Sequence, residues 1–379
     1  MPILTVLQTL AFSFVRVPAA ICFGVCLLGL LINKIGYTQE SSLTLEYRVK
    51  AIFSEKSKSV VRVKATRVSK AGEKTRRFLK IGSGFFISKE GHVLTTGLLP
   101  NADRVWIEYN KSYLLAEEIG HDPMCNLSLL KLLEPPLNLS YVRVNELSEK
   151  ISVGSFLLGI TFALEFEVGP TLGLMQSYEY SFGKRLFPTR MIRSSLALGP
   201  GEVGAPVFDL NGRFVGITHA GLPDLQSSFL LPAKACKRIR DDLLLSGQVE
   251  FGWFGITTTR KLNQSNNSFD IVISGFIDDS PARESNLEVG DVLLEVGGVS
   301  IETQGDLANA SFFAVPETIL EFKVKRDVKE IIIPLKVAIR SKSQKLSRMS
   351  VSSALTLTET NSSSVADLNT TNPDIPVNF

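Results

Sequence analysis

Short segments rich in β-branched and aromatic residues follow one another through most of this chain. Each is bounded by glycine or by a polar turn, and typical examples are SVVRVKATRV, KIGSGFFIS, RVWIEY and ISVGSFLLGI. This pattern is typical of an all-β barrel or sandwich, and it argues against the alternation of strands with long helices that βαβ folds show. The sequence therefore predicts a mostly β protein.

Composition narrows the classes of function. Hydrophobic residues make up 44% and charged residues 21% of the 379 residues, which suits a globular protein of two or three domains. The 41 Lys and Arg residues are balanced by 38 Asp and Glu residues, so the charge excludes a strongly basic nucleic-acid binder. The four cysteines form no CxxC pair and the three histidines share no metal-ligand spacing, so no metal or other cofactor is expected. We expect Cys125 and Cys236 to be buried thiols, with a disulfide between them as the alternative.

An apolar run lies near the N-terminus. Residues 17–32 read VPAAICFGVCLLGLLI, with Arg16 before the run and Lys34 after it. A transmembrane helix needs about 20 apolar residues, and the apolar segment before Arg16 allows a longer tilted span. We predict a membrane anchor over residues 1–36. A cleaved signal peptide is the main alternative, although the start lacks a positive region and no AxA-like site follows, and a buried helix is the third.

Local sequence patterns predict two helices, two hairpins and a disordered tail. LTLEYRVKAIFSEKSK carries apolar residues at helical spacing, and AKACKRIRDDLLLSG predicts an amphipathic helix that ends at Gly247. The pair Asn211-Gly212 predicts a hairpin with a type I′ turn, and Gly297-Gly298 predicts a second hairpin. Residues 341–379 are rich in Ser, Thr and Asn, which predicts a disordered tail.

Several motifs carry a family likeness. GSGFFISKEGHVLTT, HDPMCNLSLLKL, GPGEVGAPVFDLNGRFVGI and FLLPAKACKRI resemble the HtrA/Deg family of trypsin-like serine proteases, and GWFGI with SPARESNLEVGDVLLEVGGVSI resembles the PDZ domain of that family. The resemblance implies a chymotrypsin-like double β-barrel over residues 47–247 and a PDZ domain over residues 248–340. With an N-terminal transmembrane helix, the layout is similar to the membrane-tethered members that carry one PDZ domain.

The resemblance also indicates where a catalytic triad would lie. TTGLLP stands where the family has a stretch like TNNHVV, which puts Leu98 at the histidine position. NLSLLK matches DLAVLK and puts Asn126 at the aspartate position, and GEVGAP matches GNSGGP and puts Val203 at the nucleophile position. Acyl transfer by this route needs a hydroxyl, an imidazole and a carboxylate, so no member of the triad is intact. The resemblance thus predicts the fold and argues against the activity.

Other residues could rebuild such a centre. Ser194 and Ser195 precede the nucleophile position, and they are the first suspects for a displaced nucleophile. The turn Gly201, Glu202 and Val203 could still offer backbone N–H groups to a carbonyl or carboxylate, as an oxyanion hole does, while the alternative is that its glycines only serve the turn.

The PDZ-like segment suggests peptide binding. PDZ domains add an extended peptide to a sheet edge and hold its terminal carboxylate in a loop of N–H groups. The resemblance implies that this loop and the strand after it carry the peptide here, with a short helix as the other wall. The residues so implied are Trp253, Phe254, Gly255, Ile256, Thr257, Leu307 and Ala310. The alternative is that Trp253 and Phe254 pack between domains.

Together these features predict a non-catalytic HtrA-like protein that binds unfolded or C-terminal peptide segments, as a chaperone, adaptor or regulator in envelope protein quality control. The family likeness implies a homotrimer, or a hetero-oligomer with an active relative. The globular part is expected on the exported side of the membrane, in the periplasm if the host is bacterial. The alternative is an active serine endopeptidase with a displaced nucleophile, and a third possibility is a decayed homologue without a binding role.

Overall fold

The computed structural model describes residues 44–71, 74–145, 151–183, 185–264, 267–339 and 377–378. The described part of the chain divides between Ala51 and Ile52 into two units. Residues 44–56 are helical and are named α1, as the helical spacing predicts. The predicted anchor over residues 1–36 lies outside the described residues. Among the helices that are described, none has the length and apolarity to cross a membrane.

Six antiparallel strands close the first barrel in the order β1-β2-β3-β6-β5-β4. They are β1 (Val60–Ala71), β2 (Lys74–Phe86), β3 (His92–Thr96), β4 (Arg104–Tyr109), β5 (Ser112–Asp122) and β6 (Leu127–Leu132). The strands alternate apolar and polar residues, so one face of each turns inward, as Val105 and Ile107 of β4 show. The pairing of β1 with both β2 and β4 closes the barrel and leaves no free edge.

Six more strands close a second barrel in the order β10-β11-β12-β9-β8-β7. They are β7 (Phe156–Thr161), β8 (Gly169–Phe182), β9 (Arg185–Ser194), β10 (Pro206–Phe208), β11 (Phe214–Leu222) and β12 (Ser227–Pro232). Helix α2 (Ala233–Ser246) follows and ends at Gly247, which has φ +70° and donates its N–H to the Leu243 carbonyl at 2.9 Å. The predicted helix end is therefore confirmed.

The hairpin between β10 and β11 forms, but the predicted type I′ turn is wrong. That turn needs positive φ at both central residues, and only Gly212, at φ +74°, has it. Instead, Gly212 donates its N–H to the Asp209 carbonyl at 3.0 Å. The Asp209 carboxylate accepts from the N–H groups of Asn211 and Arg213 at 2.8 and 2.9 Å. The Asp209 side chain therefore stabilises a different turn.

The last part of the chain folds around a seven-stranded sheet with the order β19-β18-β16-β15-β14-β21 and β17 beside β16. These strands are β14 (Ile256–Asn263), β15 (Ser268–Phe276), β16 (Val292–Val296), β17 (Val299–Ser300), β18 (Ile319–Arg326), β19 (Lys329–Lys336) and β21 (Val377–Asn378). A separate pair joins β13 (Gly252–Trp253) to β20 (Ala338–Ile339), and helix α3 covers Gln304–Phe313. The predicted hairpin at Gly297-Gly298 is confirmed, and both glycines have positive φ.

The core of this last part is apolar and lies between the sheet and α3. Phe254 and Phe322 are fully buried there, and their rings meet edge to face with centroids 5.0 Å apart. Elsewhere, Cys125 and Cys236 are both buried and free, so the disulfide alternative is wrong. The predicted tail over residues 341–379 lies outside the described residues except for β21.

Candidate functional site

The three positions at which the resemblance places catalytic groups lie close together where the two barrels meet. Gly97, next to Leu98, donates its N–H to the carbonyl of Asn126 at 3.2 Å. A methyl group on Gly97 would lie 3.5 Å from Cγ1 of Val203. The end of β3, the start of β6 and the loop before β10 therefore converge on one place.

The side chains at this place cannot carry out acyl transfer. Leu98 is buried and packs in the core of the first barrel. Asn126 has φ +51°, a left-handed conformation that asparagine tolerates, and its amide carries no charge to stabilise an imidazolium. Val203 offers only methyl groups. These three positions are therefore without a group that can transfer a proton.

The turn before β10 is fixed by close backbone contacts. Gly201 has φ +88°, and a Cβ there would lie 2.4 Å from the backbone nitrogen of Leu164. Gly204 has φ +93°, and a Cβ there would lie 2.2 Å from the carbonyl oxygen of Ser83. Ser83 also donates its N–H to the Val203 carbonyl at 2.9 Å and its hydroxyl to the Gly201 carbonyl at 2.9 Å. Only glycine fits at both positions of this turn.

Two N–H groups of the turn are left without a backbone acceptor. Within the described residues, the N–H groups of Gly201 and Val203 donate to no carbonyl. The Glu202 carboxylate beside them accepts from the Gly199 N–H and from the Thr161 hydroxyl, both at 2.5 Å. A negative charge so close disfavours an anionic ligand, so the turn suits a neutral carbonyl better than a carboxylate.

Thr218 of β11 holds the turn from the other side. Its hydroxyl donates to the Glu202 carbonyl at 2.7 Å and accepts from the Ala205 N–H at 2.8 Å. Its carbonyl accepts from the Gly204 N–H at 2.8 Å and from the Thr96 hydroxyl at 2.9 Å. The sequence gives no local sign of this role for Thr218 or for Ser83, because both roles arise only when the two barrels meet.

The three histidines do not rebuild a triad. His92 bonds to Ser88 and His121 bonds to Ser128, each within the first barrel, at 2.7 and 2.9 Å between Nδ1 and Oγ. His219 lies at a bulge of β11, and burial lowers its pKa to about 4. Its Nδ1 is buried with no hydrogen-bond partner in the part of the chain that the structure describes. Across the same residues, no group of His, Cys, Asp and Glu side chains could hold a metal ion.

A second candidate site is the end of the last sheet at the predicted peptide-binding loop. Gly255 has φ +77°, and a Cβ there would lie 2.0 Å from Cβ of Ser280. The Phe254 carbonyl accepts from the Ala282 N–H, and the Gly255 carbonyl accepts from the Ile277 N–H. The N–H groups of Phe254 and Gly255 donate to no carbonyl of a described residue. The loop is therefore held by its carbonyls, with two N–H groups left to act as donors.

The side chains predicted to line the peptide site are mostly buried. Trp253 and Gly255 are buried at the loop, and four others are in the apolar core, namely Phe254, Ile256, Leu307 and Ala310. Thr257 is half-buried. Gln304, at the start of α3, donates from its amide to the Thr258 carbonyl at 3.0 Å. The sequence did not single out Gln304, which joins α3 to β14.

Comparison with known proteins agrees with this architecture. Residues 82–217 match the model of the trypsin-like peptidase domain, and residues 253–337 match that of the PDZ domain. A probable periplasmic serine endoprotease, DegP-like, of Marinomonas sp. (strain MWYL1) is 30% identical over 279 residues, 70% of this chain and 58% of the relative. The protein of the same name in Pseudomonas putida (strain W619) is 30% identical over 63% of this chain and 52% of the relative. The chain thus spans a little over half the length of these relatives.

Solved structures share the fold. The HtrA-type protease AlgW with a decapeptide has a TM-score of 0.62 and 21% identity, and the match covers 77% of this chain and 99% of that one. The serine endoprotease from Yersinia pestis has a TM-score of 0.56 and 18% identity, over 77% of this chain and 98% of that one. The chain therefore combines a trypsin-like peptidase domain with a PDZ domain, and it is similar over that span to DegP-like endoproteases.

Proposed function

We propose that this chain is a non-catalytic member of the HtrA type that binds peptide segments through its PDZ domain. The observation that carries the proposal is the convergence of Leu98, Asn126 and Val203 at the junction of the barrels. A site built in this way keeps the backbone of a peptidase and lacks a nucleophile and a base. Loss of such groups together costs about 10⁶ in turnover, which leaves peptide-bond hydrolysis negligible.

Peptide binding is supported by the loop at Phe254 and Gly255 and by the relatives. The AlgW structures were solved with a decapeptide and with a tripeptide. The open N–H groups of the loop and the neighbouring strand β14 are the parts that a PDZ domain uses to hold an extended peptide. The class of ligand that we propose is an unfolded or C-terminal peptide segment of another protein.

The place and assembly of the protein complete the proposal. The relatives are named as periplasmic endoproteases, and residues 17–32 have the composition of a membrane anchor. We place the globular part on the exported side of a membrane, as a homotrimer or in a hetero-oligomer with an active relative. There it acts as a chaperone, adaptor or regulator in protein quality control.

The alternative, a displaced nucleophile, finds no support in the contacts of the two suspected serines. Ser194 is fully buried, and its hydroxyl bonds to that of Ser228 at 2.6 Å. The Ser195 hydroxyl accepts from the Leu174 N–H at 2.9 Å. Neither hydroxyl has a hydrogen bond to an imidazole within the described residues, so neither has a base to take its proton.

Digestion of fluorescent, unfolded casein by the detergent-solubilised full chain tests the proposal. We expect the natural chain to be inert and to resist labelling by a fluorophosphonate. The triple variant Leu98→His, Asn126→Asp and Val203→Ser should cleave casein and become labelled, because it restores the imidazole, the carboxylate and the hydroxyl beside the two open N–H groups of the turn, at a rate that the nearby Glu202 carboxylate lowers.

The matched control is the double variant Leu98→His and Asn126→Asp, which regains the base and its partner without a nucleophile. It should stay inert and unlabelled. Cleavage of casein by the natural chain, abolished by Ser194→Ala or Ser195→Ala, would replace the proposal by the displaced-nucleophile alternative.

A further inference from the structure

The outer strand of the PDZ sheet is supplied by a distant part of the same chain. Strand β21 pairs with β14 in antiparallel register, with Asn378 opposite Thr257 and Val377 opposite Thr258. Strand β14 pairs with β15 on its other side, so without β21 it would be an edge strand with a row of unpaired backbone groups. The segment Val377–Asn378 covers that edge.

Strand β21 runs toward the loop formed by Phe254 and Gly255. In this register the residue numbers of paired residues run in opposite directions, so β21 advances from Thr258 to Thr257, in the direction of Ile256. Ile256 directly follows Phe254 and Gly255, whose N–H groups have no carbonyl partner among the described residues. A strand that enters antiparallel to β14 and runs toward such a loop has the geometry of a bound peptide in a PDZ domain.

The sequence of this segment suits strand addition. Val377 is β-branched and favours extended structure, and Pro376 before it limits the conformations that must be lost on pairing. A high β propensity and a restricted unpaired state therefore both favour the pairing.

Tethering strengthens an otherwise weak contact. Residues 340–376 connect β20 to β21, so the pairing is intramolecular. A tethered segment reaches an effective concentration of about a millimolar, which far exceeds that of most free peptides. A short peptide of modest affinity would then occupy the edge most of the time.

We propose that the chain's own segment around Val377 and Asn378 occupies the peptide-binding edge of the PDZ domain, and that peptides of other proteins must displace it. The proposal rests on the proposed function in that it assigns an internal competitor to the same edge. The chain is thereby set to respond to strong or abundant peptides and to ignore weak ones.

Cross-linking in the full chain tests the pairing without any added peptide. Thr257→Cys with Asn378→Cys places two thiols directly opposite each other, at a distance that a disulfide can span. Lys261→Cys with Asn378→Cys is the matched control, because its thiols lie four residues out of register, about 13 Å apart along the strand. We expect a disulfide within one chain for the first pair and none for the second.

Equal cross-linking of both pairs, or disulfide-linked dimers only, would overturn the proposal.

Binding of a labelled free peptide tests whether the segment around Val377 and Asn378 has to be displaced. The labelled peptide TNPDIPVNF should bind the chain truncated after Pro376 at least tenfold more tightly than the full chain, as measured by fluorescence anisotropy. Asn378→Pro, which removes a backbone N–H, should act like the truncation, and Asn378→Thr should bind like the full chain.

Equal affinity for full and truncated chains would reject self-occupation while peptide binding stands. An in-register disulfide without peptide binding by the truncated chain would reject the proposed function and leave the pairing in place.

Discussion

At the scale of the residue, the junction of the barrels shows how backbone contacts alone can specify a turn. The turn at Gly201 and Gly204 is specified by close contacts with the backbone of Leu164 and Ser83, which leave no room for a side chain at either glycine. The positions of Leu98, Asn126 and Val203 follow from motifs in the sequence. Their convergence, and the anchoring by Ser83 and Thr218, could not be predicted, because these contacts join strands far apart in the chain.

His219 makes the stability of the folded chain sensitive to acid. Burial lowers its pKa to about 4, whereas an unfolded histidine titrates near 6.5. The unfolded chain therefore takes up a proton first as the pH falls, and folded stability is lost between about pH 6.5 and 4, by roughly 1–3 kcal/mol. His219→Gln should remove this part of the loss in urea unfolding followed across that range. His121→Gln should retain it, and an unchanged pH profile in His219→Gln would contradict the assignment.

Gly255 fixes the loop before β14 through its conformation and its lack of a side chain. Gly255→Ala should destabilise the PDZ domain by more than the roughly 1–3 kcal/mol of backbone strain alone, because its Cβ would overlap Ser280. Gly290, at φ +101°, has no atom within 4 Å of a built Cβ, so Gly290→Ala should show the strain alone. Thermal unfolding of the two variants compares these costs, and equal losses would show that the loop can move aside.

At the scale of the element, the sequence predicts structure where local rules decide it. The end of α2 at Gly247 and the hairpin at Gly297-Gly298 depend on glycine conformations that neighbours do not alter. The turn at Asn211-Gly212 is not of type I′ as the sequence predicts, because the Asp209 carboxylate favours another set of hydrogen bonds. Strand β21 could not be foreseen, because two residues carry no periodicity and its pairing is set by a partner more than a hundred residues away.

Helix α3 joins the PDZ sheet to the second barrel. Asp306 caps the helix with Thr303 and also accepts a hydrogen bond from the Tyr180 hydroxyl of β8 at 2.5 Å. Burial and this bond raise the pKa of Tyr180, so the phenol stays protonated and remains a donor. The Thr189 hydroxyl bonds to the Asn309 side chain at 2.7 Å beside it. One carboxylate thus starts the helix and fastens it to the barrel.

These two roles of Asp306 can be separated by substitution. Tyr180→Phe removes only the bond to the barrel and should cost about 1 kcal/mol, whereas Asp306→Ala also removes the cap and should cost about 2 kcal/mol. Thr303→Ala, which weakens the cap alone, is the control for the contribution of the cap to stability. Chemical denaturation measures all three variants. A loss in Tyr180→Phe as large as that in Asp306→Ala would mean that the cap contributes nothing.

At the scale of the whole molecule, a few hydrogen bonds join the two barrels. The Ser83 hydroxyl of the first barrel donates to the Gly201 carbonyl and accepts from the Phe162 N–H, each at 2.9 Å. Ser83→Ala should therefore destabilise the chain by roughly 2 kcal/mol, because it leaves two partly buried groups without this partner. Ser88→Ala, whose bond to His92 stays within one barrel, should cost less. Similar midpoints for the two variants in urea would show that the junction is not held by Ser83.

The pairing of β21 with β14 has a consequence for work with recombinant protein. An affinity tag fused C-terminal to β21 would follow directly on the strand that pairs with β14. A tag at the other terminus would leave that strand as it is. Preparations that differ only in the end chosen for the tag would then differ in apparent peptide affinity, so the position of the tag becomes an experimental variable in its own right.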